Sequence, residues 1–68
     1  RVVAPGEHLW AIAEEALAAY LGRVASESEV TRYWHHVVTA NRRHLRDPAN
    51  PDLLFPGDEV ELPIPSGR

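Results

Sequence analysis

The sequence predicts an α+β domain with the element order βααβ, in which two helices pack on one face of a two-stranded antiparallel sheet. Three observations predict this class. Apolar residues recur at helical spacing in two separate stretches, a short β-type run stands near each end of the chain, and Pro-Gly turns flank the helical region. Because two short strands are not stable alone, they must pair with each other and lie against the helices.

Length and composition allow one small domain. The 68 residues are 44% apolar and 25% charged, as in ordinary globular chains, and none is cysteine. We expect residues 1–63 to form this domain and residues 64–68 to be a tail or linker. Because the first residue is Arg1, we also expect the chain to be a segment of a longer protein. A domain of this size buries only about 60% of its unfolded surface, which argues against an enclosed catalytic cavity.

The first half of the chain predicts a strand, a turn and a helix. Val2 and Val3 are β-type residues, and Pro5-Gly6 is a turn signal. The helix that follows ends before Gly22, because glycine is a common helix terminator. Glu14 and Glu15 lie opposite its apolar stripe. The predicted buried stripe comprises Leu9, Ile12, Ala13, Ala16, Leu17, Tyr20 and Leu21.

The second helix begins at a capping-box pattern, Ser26 followed three positions later by Glu29. We expect this helix to end at Asp47-Pro48. Its last turn would then hold several cations, which offset the negative end of the helix dipole. These cations are Arg42, Arg43, His44 and Arg46, and the predicted apolar stripe comprises Val30, Trp34, Val37, Val38 and Leu45.

A loop and a second strand complete the predicted fold. Asn50-Pro51-Asp52 and Pro56-Gly57 are turn signals on either side of an apolar triplet. Residues 59–62 then alternate between polar and apolar, which predicts a half-buried strand that Pro63 ends. Its exposed face would carry Val2, Glu59 and Glu61, and acidic residues there discourage edge-to-edge aggregation.

Four stretches together resemble the LysM domain family: VAPGEHLWAIA at residues 3–13, WHHVVTAN at 34–41, DLLFPG at 52–57 and VELP at 60–63. The resemblance covers almost the whole chain. It implies a βααβ module that binds N-acetylglucosamine-containing glycans, which are peptidoglycan for bacterial members and chitin for some others. The long spacing from Leu9 to Asn41 resembles an enlarged actinobacterial form of the family.

The resemblance places the glycan groove between the first strand–helix loop and the loop before the second strand. An acetamido group presents one N–H, one C=O and a methyl group, so it suits exposed backbone beside a small apolar wall. An alternative is that both turns only reverse the chain and that Leu54 fills the core. The glycan-binding residues carried over from the family are Gly6, Glu7, His8, Leu9, Asp52, Leu53 and Leu54.

Two positions in this groove depart from the family. Glu7 and His8 stand where the family commonly has Asp followed by Ser or Thr, and the hydroxyl residue would cap the first helix. Its replacement costs about 0.5–2 kcal/mol of stability unless Glu7 or the His8 ring nitrogen takes over the cap. The same departure bears on sugar contacts at this turn.

Other side chains predict structural roles. Trp34 lies within an apolar stripe and is expected in the core, while Trp10 and Tyr33 flank their stripes and are expected at its borders. Phe55, beside the second Pro-Gly turn, is the aromatic residue that could contact a ligand. Asn41 interrupts a stripe and must find hydrogen-bond partners, for which we expect the backbone of the loop between residues 47 and 56.

Neither catalysis nor a metal or cofactor site is expected. Adjacent His35 and His36 point about 100° apart on a helix, and no cysteine or suitably spaced carboxylate joins them. Glu14 and Glu15 diverge in the same way, so they do not form the carboxylate pair of a glycosidase. We expect all four side chains to be solvated.

Charge and hydropathy limit the possible partners. The formal net charge is -3, which argues against binding nucleic acid through phosphate neutralisation. No apolar run approaches the ~20 residues of a membrane span, so this segment is not expected to insert into a membrane. As an isolated domain it is expected to be monomeric.

The resemblance alone implies peptidoglycan or a related polymer as the partner and the cell envelope as the location. A rival prediction is a spacer or protein-interaction domain that keeps the family fold and has lost the sugar.

Overall fold

The computed structural model describes residues 1–45, 47, 49–51 and 53–65. Helix α1 spans Leu9–Leu21 and helix α2 spans Glu27–Asn41, and the two pack against each other as a small helical hairpin. The chain segments before α1 and after α2 lie against this hairpin. The predictions made for Arg46, Pro48, Asp52 and residues 66–68 fall outside the described residues.

Helix α1 has the predicted bounds. The backbone carbonyl of His8 accepts from the Ile12 N–H, and the His8 Nδ1 accepts from the Ala11 N–H at 3.3 Å, so the imidazole occupies the capping position. At the other end Gly22 has φ 71° and donates its N–H to the Ala18 carbonyl at 2.9 Å. This left-handed conformation is the one that glycine adopts without steric cost.

The buried stripe of α1 is shorter than predicted. Leu9, Ile12, Ala13 and Leu17 are buried, but Tyr20 is 58% exposed and Leu21 is 37% exposed. The expectation that these last two side chains are buried was wrong. Both lie in the final turn of α1, directly before the chain reverses, and the described residues leave that end of the helix uncovered.

Helix α2 begins at the predicted capping box. Ser26 Oγ accepts from the Glu29 N–H at 3.3 Å, and Glu29 Oε1 accepts from the Ser26 N–H at 2.9 Å. Arg23, in the connection from α1, donates to the same carboxylate at 2.8 and 3.0 Å. Two backbone donors at the start of α2 are therefore satisfied locally, and the connection is tied to the helix.

The end of α2 differs from the prediction, which placed it at Asp47-Pro48. The helix ends at Asn41, whose carbonyl accepts from both the His44 and the Leu45 N–H groups, at 2.8 and 3.0 Å. Arg42 and Arg43 thus follow the helix in a tight turn and do not belong to its last turn. The described residues of the helix itself have no basic side chain in that turn.

The predicted two-stranded antiparallel sheet is wrong. The described residues contain an isolated antiparallel bridge between Val2 and Glu59 and no strand. Two hydrogen bonds frame the bridge, from the Val3 N–H to the Asp58 carbonyl and from the Val60 N–H to the Arg1 carbonyl, both 2.8 Å. One more bond lies on each side, from the Arg1 amino group to the Val60 carbonyl and from the Gly57 N–H to the Val3 carbonyl, both 2.8 Å, and the first segment then turns. With no sheet, the helices do not pack on a sheet face, and the βααβ class does not hold.

Side chains from α2 hold the C-terminal segment where a longer ladder was expected. Asn41 is 1% exposed and binds the backbone of Glu61 on both sides, with Nδ2 donating to the carbonyl at 2.8 Å and Oδ1 accepting from the N–H at 2.7 Å. Nδ2 also donates to the Val37 carbonyl at 2.7 Å. About two turns earlier in α2, the Tyr33 hydroxyl donates to the Pro63 carbonyl at 2.8 Å.

The core lies between the two helices and the two terminal segments. Tyr33 belongs to it, at 4% exposed, so its predicted place at the border was wrong, and burial raises the pKa of its hydroxyl. Trp10 and Trp34 are half-buried and pack against the core, with ring centroids 5.9 Å apart. The buried apolar residues are Val3, Leu9, Ile12, Ala13, Leu17, Ala25, Val30, Tyr33, Val37 and Val60.

Stability should depend on the charge of Glu29. Hydrogen bonds from the Arg23 side chain and from Ser26 lower the pKa of Glu29 from 4.5 to about 2. A depressed folded-state pKa contributes stability above pH 4.5 that disappears as the pH falls towards 2. The melting temperature of Glu29→Gln should therefore lie below that of the unsubstituted chain at pH 6, and the gap should close by pH 2.

Thermal unfolding followed by circular dichroism across this pH range checks the expectation. Glu27→Gln is the matched control, since Glu27 lies in the same first turn and makes none of these side-chain bonds. A difference in melting temperature between Glu29→Gln and the unsubstituted chain that stays constant from pH 6 to pH 2 would contradict a stabilising role for the Glu29 charge.

Candidate functional site

The two predicted turns adjoin each other. The carbonyl of Val3 accepts from the Gly57 N–H, and the Val3 N–H donates to the Asp58 carbonyl, both at 2.8 Å. Val3 directly precedes the turn over residues 4–7, and Gly57 lies in the turn over residues 55–58. A buried Val3 side chain, 2% exposed, anchors this junction in the core. The backbone therefore brings the candidate loops together, as the groove requires.

The first turn is closed by Glu7. Its N–H donates to the Ala4 carbonyl at 3.1 Å, and its carboxylate accepts from the Ala4 N–H at 2.8 Å. The carboxylate also pairs with Arg1, whose guanidinium reaches Glu15 of α1 at 2.9 Å. At the tip, Gly6 has φ 82° and is exposed, with no atom within 4 Å of where a Cβ would stand. Glu7 thus shapes the turn, and its carboxylate is already engaged.

His8 and Leu9 lie where the first turn enters α1. The His8 ring is exposed, but its Nδ1 is engaged in the helix cap. Leu9 is 0% exposed, so its side chain belongs to the core and cannot contact a ligand. The backbone of Leu9 is equally inaccessible, because this fraction covers the whole residue. The structure therefore places Leu9 in the core, whereas the resemblance placed it among the glycan-binding residues.

The second loop presents two apolar side chains. Leu53 is 39% exposed and Phe55 is 48% exposed, whereas Leu54 is half-buried and packs against the core. The Phe55 N–H donates to Asp58 Oδ2 at 3.0 Å, and the Asp58 N–H donates to the Phe55 carbonyl at 3.0 Å, so Asp58 holds the turn closed. The exposed apolar surface is therefore at Leu53 and Phe55, on either side of the position predicted for it.

Some backbone donors in these loops have no intramolecular partner. Within the described part of the chain, the N–H groups of Gly6 and Leu54 donate to no protein acceptor. A backbone donor normally binds protein or water, so these groups are open to an external acceptor. The site thus combines unpaired backbone donors with an exposed leucine and an exposed phenylalanine.

Sequence reasoning missed how Asn41 acts. The prediction placed its partners in the loop between residues 47 and 56, but the structure places them at Val37 and Glu61. The position of Asn41 within an apolar stripe did indicate that its amide would hydrogen-bond backbone groups, because a buried amide needs partners. Which backbone segment it reaches depends on tertiary packing.

The remaining polar candidates behave as solvated side chains. His35 and His36 are both exposed, and the His35 ring lies edge-on to Trp34 at a centroid distance of 5.1 Å. Among the described residues, no group of three His, Cys, Asp or Glu side chains could hold a metal ion. Glu14 and Glu15 are exposed on α1. Neither α1 nor α2 has the length and hydropathy needed to cross a membrane.

No protein-family model, curated protein or solved structure matches this chain.

Proposed function

We propose that this chain is a non-catalytic module that binds N-acetylglucosamine-containing polysaccharide, with bacterial peptidoglycan as its partner, within a larger cell-envelope protein. The meeting of the two turns at Val3 carries the proposal, because it sets two stretches of exposed backbone side by side. The resemblance of the loop sequences to the LysM family supports the choice of sugar.

The chemistry of the acetamido group fits the loops. Its carbonyl can accept from the unpaired N–H groups of Gly6 or Leu54. Its methyl group and the C–H faces of the pyranose ring can rest against Leu53 and Phe55, which expose apolar surface beside the turn. The absence of a side chain at Gly6 leaves the approach to that turn open.

A single site of this kind binds weakly. The contacts are few and lie at the surface, which corresponds to a Kd of roughly millimolar, or about -4 kcal/mol. Retention on a wall polymer then requires several modules acting together, because linking sites raises the effective concentration of each.

An amide NMR titration with chitotetraose tests the proposal. We expect shifts confined to residues 5–9 and 53–57. Cellotetraose, which has the same backbone without acetamido groups, should leave these signals unchanged. Phe55→Ala should weaken binding severalfold, whereas Tyr20→Ala removes an equally exposed aromatic ring outside the site and should not. No shift in these loops at about 5 mM chitotetraose would contradict the proposal.

A spacer or protein-interaction domain is the second candidate. It is favoured by the engagement of the Glu7 carboxylate and of His8 Nδ1 within the protein, which gives both residues a structural role at the turn. Failure of chitotetraose binding by a chain that is folded by circular dichroism would favour this candidate.

A further inference from the structure

The two turns that adjoin at Val3 repeat one sequence pattern. In both, Pro-Gly occupies the middle of the turn and an acidic residue follows: Ala4-Pro5-Gly6-Glu7 and Phe55-Pro56-Gly57-Asp58. The two glycines have φ 82° and 93°, as the third position of a type II turn requires. Two matched turns therefore lie side by side in the fold.

The acidic residue closes both turns in the same way. The Glu7 N–H donates to the Ala4 carbonyl at 3.1 Å, and the Glu7 carboxylate accepts from the Ala4 N–H at 2.8 Å. Asp58 makes the same pair of bonds to Phe55, each at 3.0 Å. Each carboxylate thus binds the backbone donor at the start of its turn and adds a second bond across the turn.

The middle peptide of each turn takes no part in these closing bonds, and its N–H has a different use in each turn. The Gly57 N–H donates to the Val3 carbonyl at 2.8 Å, which joins the second turn to the first segment. Its counterpart, the Gly6 N–H, has no acceptor among the described residues, and no atom lies within 4 Å of where a Gly6 Cβ would stand. The second turn therefore shows that a donor at this position binds an amide carbonyl that comes within reach.

We propose, on the basis of the proposed function, that Glu7 and Asp58 are positioning residues of the glycan site, which hold the two turns closed and act through them. With the first turn closed, the Gly6 N–H stays unpaired and can donate to the acetamido carbonyl, as its counterpart does to a protein carbonyl. With the second turn closed, Phe55 stands at its first position and is 48% exposed. A variant whose turn is closed in only a fraction of the molecules binds more weakly by that fraction.

A chitotetraose titration of paired variants tests this role. Glu7→Ala and Asp58→Ala remove the side-chain acceptor from a turn, and each should weaken binding about fivefold, the factor that corresponds to one net hydrogen bond. Glu7→Gln and Asp58→Asn keep a side-chain oxygen that accepts from the same N–H. Their affinity should therefore stay within about twofold of that of the unsubstituted chain.

The free protein gives a second readout of the first turn, measured without sugar. The temperature coefficient of the Ala4 amide proton reports whether its bond to Glu7 persists in solution. It should change to the value of a solvent-exposed amide in Glu7→Ala and stay unchanged in Glu7→Gln. Circular dichroism shows whether each variant is folded. Since separate bonds close the two turns, either turn carries the test if a variant of the other unfolds.

Glu14→Ala and Glu59→Ala are the matched controls for loss of charge. Both remove an exposed carboxylate, one on α1 and one directly after Asp58. Neither carboxylate has a hydrogen-bond or ion-pair partner within the part of the chain that the structure describes. Both variants should bind chitotetraose as the unsubstituted chain does.

The outcomes separate this role from the proposed function. Unchanged binding by Glu7→Ala and Asp58→Ala would overturn the positioning role and leave the proposed function intact. Equal weakening by the conservative variants or by the charge controls would also overturn it, because charge and not turn closure would then set the affinity. If the unsubstituted chain does not bind chitotetraose, the proposed function has failed, and the glycan role of both residues fails with it.

Discussion

Replacing Asn41 by alanine is expected to lower the free energy of unfolding by about 2–4 kcal/mol, because the change leaves the partly buried N–H and C=O of Glu61 unpaired and creates a small cavity. The amide of Asn41 satisfies both the N–H and the C=O of Glu61 and also the Val37 carbonyl. A domain of this length has a total stability of about 3–10 kcal/mol, so the loss is a large share of it. Urea denaturation followed by tryptophan fluorescence measures the change.

Two further variants make this expectation specific. Asn41→Asp keeps the size and one acceptor but removes the donor to Val37 and Glu61, and it buries a carboxylate, so it should cost at least as much as alanine at pH 7. Asn50→Ala, at an exposed asparagine, should change stability by less than about 0.5 kcal/mol. If Asn41→Ala lowered the free energy of unfolding no more than Asn50→Ala, the hydrogen bonds from Asn41 to the Glu61 backbone would not stabilise the fold.

Leu9→Ala is expected to cost about 2–4 kcal/mol of stability, since it removes a fully buried side chain from the junction of α1 and the core. The sequence comparison with the LysM family assigned Leu9 to the glycan site, so the effect separates a core role from a ligand-contacting role. Urea denaturation gives the stability, and chitotetraose titration of the folded fraction gives the affinity.

Leu53→Ala is the matched control for this change. Leu53 is 39% exposed, so its loss should cost less than about 1 kcal/mol while weakening chitotetraose binding. The opposite pattern, with a stable Leu9→Ala variant and a strongly destabilised Leu53→Ala variant, would reverse the roles of these two leucines.

Local patterns predicted the helices well because local interactions form them. The start of α1 after His8, its end at Gly22 and the capping box of Ser26 and Glu29 depend on groups within four residues of one another. The predicted end of α2 was wrong by several residues. The predicted apolar stripe resumed at Leu45 beyond Asn41, but the Asn41 side chain engages the C-terminal segment and the backbone tightens into a turn.

The sequence predicted where the two turns lie but not what their side chains do. The turns adjoin as expected, and Phe55, the aromatic residue expected to be able to contact a ligand, is 48% exposed beside its turn. Glu7, His8 and Leu9 were placed among the glycan-binding residues by the resemblance, and in the structure their side chains close a turn, cap a helix and fill the core. A motif records which residue types occur at a turn, and it does not record which way each one points.

By itself the sequence determined one small chain of two helices with defined starts, a chain reversal at Gly22, and two turns near the ends, because each of these follows from nearby residues. Only the tertiary structure decided that the terminal segments meet in a single bridge, with Asn41 and Tyr33 holding the C-terminal segment in place of a ladder. The physical reason is that backbone donors and acceptors can be satisfied equally well by strand partners or by buried side chains. Which partner is used depends on which groups packing brings within reach.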